Sequence, residues 1–273
     1  MQTNPTVNRK IILPGVDRYQ VMEWIYLSPH YDDAALSCGG LIWEQIRAGE
    51  KVSVWTICAG EPPLINMSQF AETLHSRWKT GVEAVRQRKR EDLASCTILG
   101  ATLRHFTIPD CIYRRGEDGQ PLYDSEQAIY GDFLTEETPL RKGLNEELKS
   151  LLQEKITVIN LVCPLTVGHH VDHQLVRSAS ESLGCPLWYY ADYPYVVENA
   201  SSIPGLLPEG AIKVVFPVSE KGLDAWVRSI AVHDSQVSTF WTSIMALRAD
   251  IQRYRDESGG IRLWRSTGTA PTV

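Results

Sequence analysis

The chain has 273 residues, 43% of them hydrophobic, which suits one large α/β domain or two small ones with a packed core. Its net charge of -6 comes from 27 basic and 33 acidic residues mixed along the sequence, without the basic stripe that nucleic acid requires. The first ten residues, MQTNPTVNRK, lack the apolar segment expected of a signal peptide, and no apolar run approaches the roughly 18 residues of a membrane span. We therefore expect a cytoplasmic protein with no nucleic-acid partner and no membrane span.

Apolar, β-rich runs alternate with stretches of helical period, the pattern that builds a parallel sheet covered by helices. In the first part of the chain the pattern predicts a strand over 21–28, a helix over 34–48 ended by Gly49, a strand over 52–58, a helix over 80–99 ended by Gly100 and a strand over 102–107. A polar surface excursion over 112–138 follows, and then a helix over 140–154, a strand over 157–162, a helix to about 183 and a strand over 187–190. The last part is predicted to be an irregular segment over 191–210, a strand over 211–216 and helices over 222–254.

The expected fold class is therefore α/β, a Rossmann-like and mostly parallel sheet flanked by helices in three layers. We expect a single domain, with its core over roughly 20–190 and a C-terminal extension over 191–273 that packs on the core. The six cysteines lie far apart, without CxxC or metal-finger spacing, and are expected to be buried thiols.

Two clusters of histidine and aspartate follow predicted strands. LSPHYDDAALSCGG, at 27–40, places His30, Asp32 and Asp33 after the first strand, and GHHVDH, at 168–173, follows the fourth. In a doubly wound sheet of order 3-2-1-4-5, strands one and four are neighbours, and ligands bind in the crevice at their carboxyl ends. The sequence therefore predicts that the two clusters face each other across one cleft.

Imidazole and carboxylate ligands suit zinc, and a catalytic zinc site takes three protein ligands and leaves one position for water. We predict His30, Asp33 and His173 as the metal ligands and Asp32 as the general base for the zinc-activated water. His170 lies about one helical turn before His173, and as an imidazolium it would stabilise the oxyanion formed when water attacks an amide. Iron or cobalt in place of zinc stays open.

At these residues the sequence resembles the PIG-L/LmbE family of zinc-dependent N-deacetylases, which act on N-acetylglucosamine units or related acyl-amino sugars. SPHYDDAALSCGG is similar to that family's PHPDDE segment, and HVDH is similar to its HPDH. The resemblance implies a zinc cofactor, the same ligands and base, and a role for His170 in the transition state. The implied activity is hydrolysis of an N-acyl, in the first place N-acetyl, group on a small-molecule amino sugar or glycoconjugate.

Three weaker matches follow in the same order. RKRED resembles the family's arginine-and-glutamate helix, which implies Arg88 near the sugar, and IPD resembles a segment whose aspartate, here Asp110, faces substrate hydroxyls. HDSQ, at 233–236, is similar to a short C-terminal motif, but His233 is assigned no role. Taken alone, Arg88 also fits a solvated helix face and Asp110 a turn.

The chain departs from the family pattern at several positions. Ala34 stands where a glutamate is usual, and Tyr31 and Val171 stand where prolines are usual. Some members carry a mobile tyrosine just before the second motif; VGH has none, so Tyr193 or Tyr195 is expected to take that place.

Some of these residues also fit simpler structural roles. An isolated His-x-Asp-Asp at a helix start is explained by aspartates that cap the helix, and His169 is expected to be a solvated loop residue. Gly39 and Gly40 lack the spacing of a phosphate-binding loop. The alternative functions are a catalytically altered relative that binds a sugar or metabolite, and a nucleotide-binding enzyme suggested by the α/β pattern alone. A homo-oligomer is compatible with the sequence.

Overall fold

A seven-stranded sheet forms the centre of the molecule in a computed structural model that describes residues 22–62, 67–78 and 83–266. The strand order is β3-β2-β1-β4-β5-β7-β6. The first five strands pair in parallel, and β7 pairs antiparallel with both β5 and β6. The strands are β1 (Met22–Ser28), β2 (Lys51–Thr56), β3 (Thr102–His105), β4 (Val158–Pro164), β5 (Trp188–Tyr190), β6 (Ile212–Phe216) and β7 (Ile261–Arg265). The predicted mostly parallel, Rossmann-like sheet is confirmed.

Helices lie on both faces of this sheet. The described residues form α1 (Asp33–Arg47), α2 (Gln69–Arg77), α3 (Ala84–Leu99), α4 (Glu126–Ile129), α5 (Thr138–Gln153), α6 (Val171–Glu181), α7 (Tyr195–Asn199), α8 (Ile203–Leu206), α9 (Glu220–Ala231), α10 (Asp234–Phe240) and α11 (Ile244–Ser258). The chain crosses the sheet in one direction from β1 to β2 and in the other from β4 to β5. Right-handed crossovers therefore put α1 and α6 on opposite faces. Helices α1, α3 and α9 pack together, and α5 packs on α6.

The central strands are buried on both faces, which explains why their sequences are continuous apolar runs rather than alternating ones. In β1, MEWIYLS, every residue after Met22 is buried, and in β2, KVSVWT, every residue after Lys51 is buried. Gly49 and Gly100 follow α1 and α3 with φ of 85° and 83°, as expected for glycines at left-handed helix ends.

Several elements were not predicted. Helix α2 and strand β7 are additions to the expected order, and the segment over 191–210, expected to be irregular, contains α7, α8 and a 3₁₀ turn. Strand β7 has five residues, and it forms through pairing with β5 and β6, which no local pattern encodes. Pro204 lies in the first turn of α8, where a helix tolerates proline. Residue 21 of the first predicted strand and residues 80–82 of the second predicted helix lie outside the described residues.

The segment over 112–138 is more tightly packed than the expected surface excursion. It includes α4 and a 3₁₀ turn at Thr135–Glu137. Tyr123 and Ile129 are buried in a second hydrophobic cluster, which also contains Leu74 of α2. The segment therefore contributes to a second, smaller hydrophobic core.

The cysteines are all free thiols, and five of them are buried. Cys185 is the exception, because it lies in the exposed connection between α6 and β5. The expectation that all six are buried is therefore wrong at this position.

Gly39 and Gly40 allow α9 to pack closely on α1. A Cβ atom on Gly39 would lie 2.7 Å from Trp226 Cδ1, and one on Gly40 would lie 2.9 Å from Trp226 Cε3. Trp226 is fully buried, and its Nε1 donates a hydrogen bond to the Ala35 carbonyl oxygen at 2.8 Å. The two glycines thus serve helix packing.

We predict that Gly39→Ala lowers the free energy of unfolding by about 1–3 kcal/mol, because the added methyl group overpacks the Trp226 contact. Urea unfolding measures the change. Gly143→Ala is the matched control: Gly143 lies in α5, a Cβ atom added there would meet nothing within 4 Å, and alanine should be neutral or stabilising. Equal destabilisation by both substitutions would contradict the packing explanation.

Candidate active site

The carboxyl ends of β1 and β4 bring the two predicted clusters together. These strands are parallel neighbours, with Tyr26 opposite Val162, so the segments that follow them meet. A cavity of about 200 Å³ lies at this edge of the sheet. Six of the seven residues predicted for the site line it: His30, Asp32, Asp33, Arg88, Asp110 and His170. The seventh, His173, is buried directly behind Asp33, 3.3 Å away.

One oxygen of Asp33 is the point on which the two imidazoles converge. His30 Nδ1 lies 3.1 Å and His173 Nε2 lies 3.3 Å from Asp33 Oδ2. Burial alone would raise the pKa of Asp33, but the two imidazoles hold it well below its usual range. Burial likewise opposes charge on His173, yet Asp33 and Asp192 raise its pKa to about 9. The carboxylates thus stabilise positive charge here, as they would stabilise a bound cation.

A second carboxylate behind each imidazole fixes which ring nitrogen faces Asp33. His30 Nε2 donates to Asp172 Oδ2 at 3.0 Å, and His173 Nδ1 donates to Asp192 Oδ1 at 2.6 Å. With that N–H fixed on one nitrogen of each ring, a cation can displace the proton from the opposite nitrogen, which then acts as a ligand. Asp192 is itself held by the Val167 N–H at 2.8 Å. Two imidazoles and a carboxylate arranged in this way fit a divalent cation.

Asp172 connects this centre to the 112–138 segment through a buried ion network. Its Oδ1 lies 2.6 Å from Arg114 Nη1, and Arg114 Nε lies 2.6 Å from Glu137 Oε1. Tyr123 Oη donates to Glu137 at 2.7 Å, and the Cys111 N–H donates to Asp172 at 3.0 Å. The segment is therefore tied by charge to the carboxylate that orients His30.

Asp172, Asp192 and Arg114 were not predicted as members of the site. Asp172 lies inside the HVDH motif, and Asp192 lies in the segment after β5, which was predicted to be irregular. A usable signal existed, since metal-binding histidines donate their second N–H to a carboxylate or carbonyl. That rule predicts one such partner for each of the two histidine ligands, but only the fold shows that the partners are Asp172 and Asp192.

Asp32 does not cap α1, although it stands at the N-cap position. Its side chain makes no capping hydrogen bond, and the Ala34 N–H donates instead to Ser28 Oγ at 3.0 Å. The explanation of this aspartate as a helix cap is therefore wrong. Among the described residues the nearest cation to Asp32 is Arg88, whose Nη2 lies 3.6 Å from Asp32 Oδ1, and the buried carboxylate faces the cavity.

His170 caps α6 with its ring. Its Nδ1 accepts a hydrogen bond from the Asp172 N–H at 3.2 Å, which leaves Nε2 to carry the proton. Burial, and next the nearby His30, hold the pKa of His170 well below its usual value. The capping hydrogen bond and the lowered pKa both favour a neutral N–H donor over the imidazolium expected from the sequence, and the role of His170 stays a prediction. Ligand nitrogens of His30, His170 and His173 lie within 4.8 Å of one another.

Arg88 and Asp110 are buried at the cavity, whereas His169 and His233 lie elsewhere. Asp110 Oδ2 lies 3.7 Å from Arg88 Nη1, and both residues are buried at the cavity, so Arg88 is not on a solvated helix face. His169 is on the surface beside Asp132, as expected. His233 is buried, and neither ring nitrogen has a hydrogen-bond partner in the described part of the chain.

Of the two candidate tyrosines, only Tyr195 reaches the cavity. Its Oη lies 3.2 Å from Tyr130 Oη of the 112–138 segment, and its ring covers Gly168, where a Cβ atom would approach Tyr195 Cγ to 2.7 Å. Tyr193 is instead buried against Trp241, with ring centroids 6.3 Å apart. The expectation that Tyr193 could serve is therefore wrong.

Two known proteins are similar in sequence to this chain. The chain is 31% identical over 191 residues to a 2'-N-acetylparomamine deacetylase of Niallia circulans, covering 63% of this chain and 67% of that protein. It is 27% identical over 226 residues to the protein of the same name in Streptomyces fradiae, covering 78% of this chain and 72% of that one.

A solved structure described as the zinc-inhibited form of the teicoplanin deacetylase Orf2 shares the fold. The TM-score is 0.79 at 24% identity, over 92% of this chain and 100% of the other.

No helix in the described ranges combines the length and the apolar character needed to cross a membrane. The family model of the GlcNAc-PI de-N-acetylases, PIG-L, matches residues 25–183. Because that match spans more than half of the sequence, the chain belongs to the PIG-L family.

Proposed function

We propose that this chain is a metal-dependent hydrolase that removes an N-acyl group, in the simplest case N-acetyl, from an amino sugar or sugar conjugate. The observation that carries the proposal is the convergence of His30 Nδ1 and His173 Nε2 on Asp33 Oδ2, beside the uncapped carboxylate of Asp32. The names of the two curated relatives, both deacetylases of an acetylated amino sugar, support the substrate class.

Zinc is the proposed metal, with His30, Asp33 and His173 as its ligands. Two imidazoles and one carboxylate are a common ligand set of catalytic zinc. When bound, zinc would polarise the substrate carbonyl and lower the pKa of water toward neutrality. Since one solved neighbour is described as zinc-inhibited, iron and cobalt contents are to be measured beside zinc.

Asp32 is the proposed general base. It accepts one proton from the attacking water while oxygen bonds to the carbonyl carbon, and it returns that proton to the nitrogen as the C–N bond breaks. The products are a carboxylic acid, which then loses its proton to solvent, and a free amine. A carboxylate that faces the cavity and makes no capping hydrogen bond is suited to this exchange.

His170, Arg88 and Asp110 complete the proposed machinery. The Nε2–H of neutral His170 would donate a hydrogen bond to the carbonyl oxygen as negative charge develops there. Arg88 and Asp110 lie on the side of the cavity next to Asp32, where they would hold sugar hydroxyls.

A relative that only binds its ligand is not favoured. Ala34 motivated that alternative, because a carboxylate is usual at its position. Ala34 is 1% exposed and belongs to the hydrophobic core, and it does not line the cavity. The missing carboxylate therefore leaves the cavity-facing residues unchanged.

We predict that Asp32→Ala keeps about one zinc ion per chain but lowers kcat by about 10²–10⁴-fold, because the base is removed while the ligands stay. Acetate release from a panel of N-acetylglucosamine conjugates and of N-acetylated aminoglycosides measures turnover, and elemental analysis measures the metal. Asp132→Ala, at a surface carboxylate, is the control and should change neither. Wild-type turnover in Asp32→Ala would rule out the base assignment.

We predict that Asp192→Asn weakens metal affinity by about 10–100-fold, because the carboxylate that orients His173 loses its charge. Competition with a chelator measures the affinity. Asp92→Asn is the matched control: Asp92 pairs with His105 at 2.9 Å, so it changes a comparable buried pair that does not touch the proposed ligands. Equal losses in both variants would mean that general destabilisation, rather than ligand orientation, is being measured.

A further inference from the structure

The guanidinium of Arg88 lies against two aromatic rings. Its Cζ lies 5.0 Å from the ring centroid of Tyr31 and 5.0 Å from that of Trp78. A planar guanidinium stacks well on aromatic faces, which gain from its charge through the ring quadrupole. Tyr31 comes from the loop after β1, and Trp78 from the end of α2, so two separate elements form this clamp.

Arg88 stands off from both carboxylates that compensate its charge. The distances are 3.6 Å to Asp32 and 3.7 Å to Asp110, whereas hydrogen-bonded arginine–carboxylate pairs close to about 2.7–2.9 Å. Arg88 is only 6% exposed, and its Nε has no hydrogen-bond partner among the residues described. Contact with the two rings therefore takes the place of close pairing with a carboxylate.

Tyr31 is itself firmly packed. It is 3% exposed, and its ring packs edge-to-face with His105 at a centroid distance of 5.6 Å. His105 is held by Asp92, which also accepts a hydrogen bond from Thr56 at 2.7 Å. Tyr31 is not one of the described residues that line the cavity, whereas Arg88 is. Its side chain can therefore influence the cavity through Arg88, and its backbone through its chain neighbours His30 and Asp32, which both line the cavity.

We propose that Tyr31 is a positioning residue: with Trp78 it clamps Arg88 midway between Asp32 and Asp110, so that the guanidinium closes on neither carboxylate. The base keeps its oxygens for water, and the guanidinium keeps its N–H groups for the substrate. This inference rests on the proposed function for its catalytic meaning, but the clamp itself is testable without turnover. Proline, usual at this position in the family, has no aromatic ring and could not do this.

The first experiment measures the clamp by binding. In Arg88→Ala, methylguanidinium should occupy the gap between the rings, and calorimetry or NMR titration gives its affinity. Adding Tyr31→Leu should weaken that binding about tenfold, and adding Tyr31→Phe should not, because the ring remains. Tyr31 Oη is buried without a hydrogen-bond partner in the described structure, so its loss is a mild change. Equal affinities in the Leu and Phe double variants would overturn the clamp.

The second experiment measures the consequence for turnover. Tyr31→Leu should lower kcat/KM about tenfold with unchanged metal content, whereas Tyr31→Phe should keep the wild-type kcat/KM because its ring remains. Added methylguanidinium should partly restore the activity of Arg88→Ala but not that of Arg88→Ala/Tyr31→Leu. Trp43→Leu is the matched control, since it removes a ring 6.0 Å from Arg47, away from the cavity. Should Tyr31→Leu fail to fold, Trp78→Leu in Arg88→Ala removes the other, half-buried ring, and methylguanidinium binding is then the readout because Trp78 itself lines the cavity; unchanged affinity would overturn the clamp.

The outcomes separate the two proposals. An inactive wild-type protein in which methylguanidinium binding still depends on the ring would contradict the proposed function and support the clamp. An active wild-type protein matched by a folded, metal-bound Tyr31→Leu would support the function and overturn the positioning role.

Discussion

The parallel pairing of β1 with β4 is the constraint on which the site depends. It places the segment after Ser28 beside the segment after Pro164, although these are far apart in the sequence. Each segment then turns into a helix whose first residues face the cavity. Because strand pairing is cooperative and buried, the relative position of His30 and His173 is fixed by the sheet rather than by the loops. A shift in that register would separate the two imidazoles, whatever the residues in the motifs.

Charge burial is the second feature that shapes this region. Asp33, Asp172, Asp192 and Arg114 are all nearly inaccessible, and burying such groups costs several kcal/mol each unless partners compensate. Here every charge meets an opposite one, so the arrangement is tolerated but narrowly defined. The two nitrogens of each imidazole lie in different surroundings, and this difference is chemically useful. Carboxylates behind the rings accept a hydrogen bond from one nitrogen of each ring, and a cation can displace the proton from the other nitrogen.

The sequence was sufficient for the parts of the fold that local rules govern. Continuous apolar runs marked β1 and β2, glycines marked the ends of α1 and α3, and the strand order placed both motifs at one cleft. Strand β7 was not predicted because it depends on long-range contacts, namely pairing with β5 and β6. The same holds within the site, where Asp192 meets His173 only because β5 lies beside β4. Division into core and extension, cytoplasmic location and homo-oligomer formation stay predictions, as do the roles of the site residues.

The departures from the family pattern fall behind the cavity rather than in it. Ala34 lies in the hydrophobic core, Val171 is fully buried, and Tyr31 packs on the far side of Arg88. The residues that would meet metal and substrate keep the types that the chemistry needs. Supporting side chains can therefore change in this architecture without altering the reacting groups, provided that the geometry they enforce is kept. Tyr31, in place of the usual proline, adds a contact with the guanidinium of Arg88. An aromatic ring attracts a guanidinium without a short hydrogen bond, whereas a carboxylate partner would bring it to hydrogen-bonding distance.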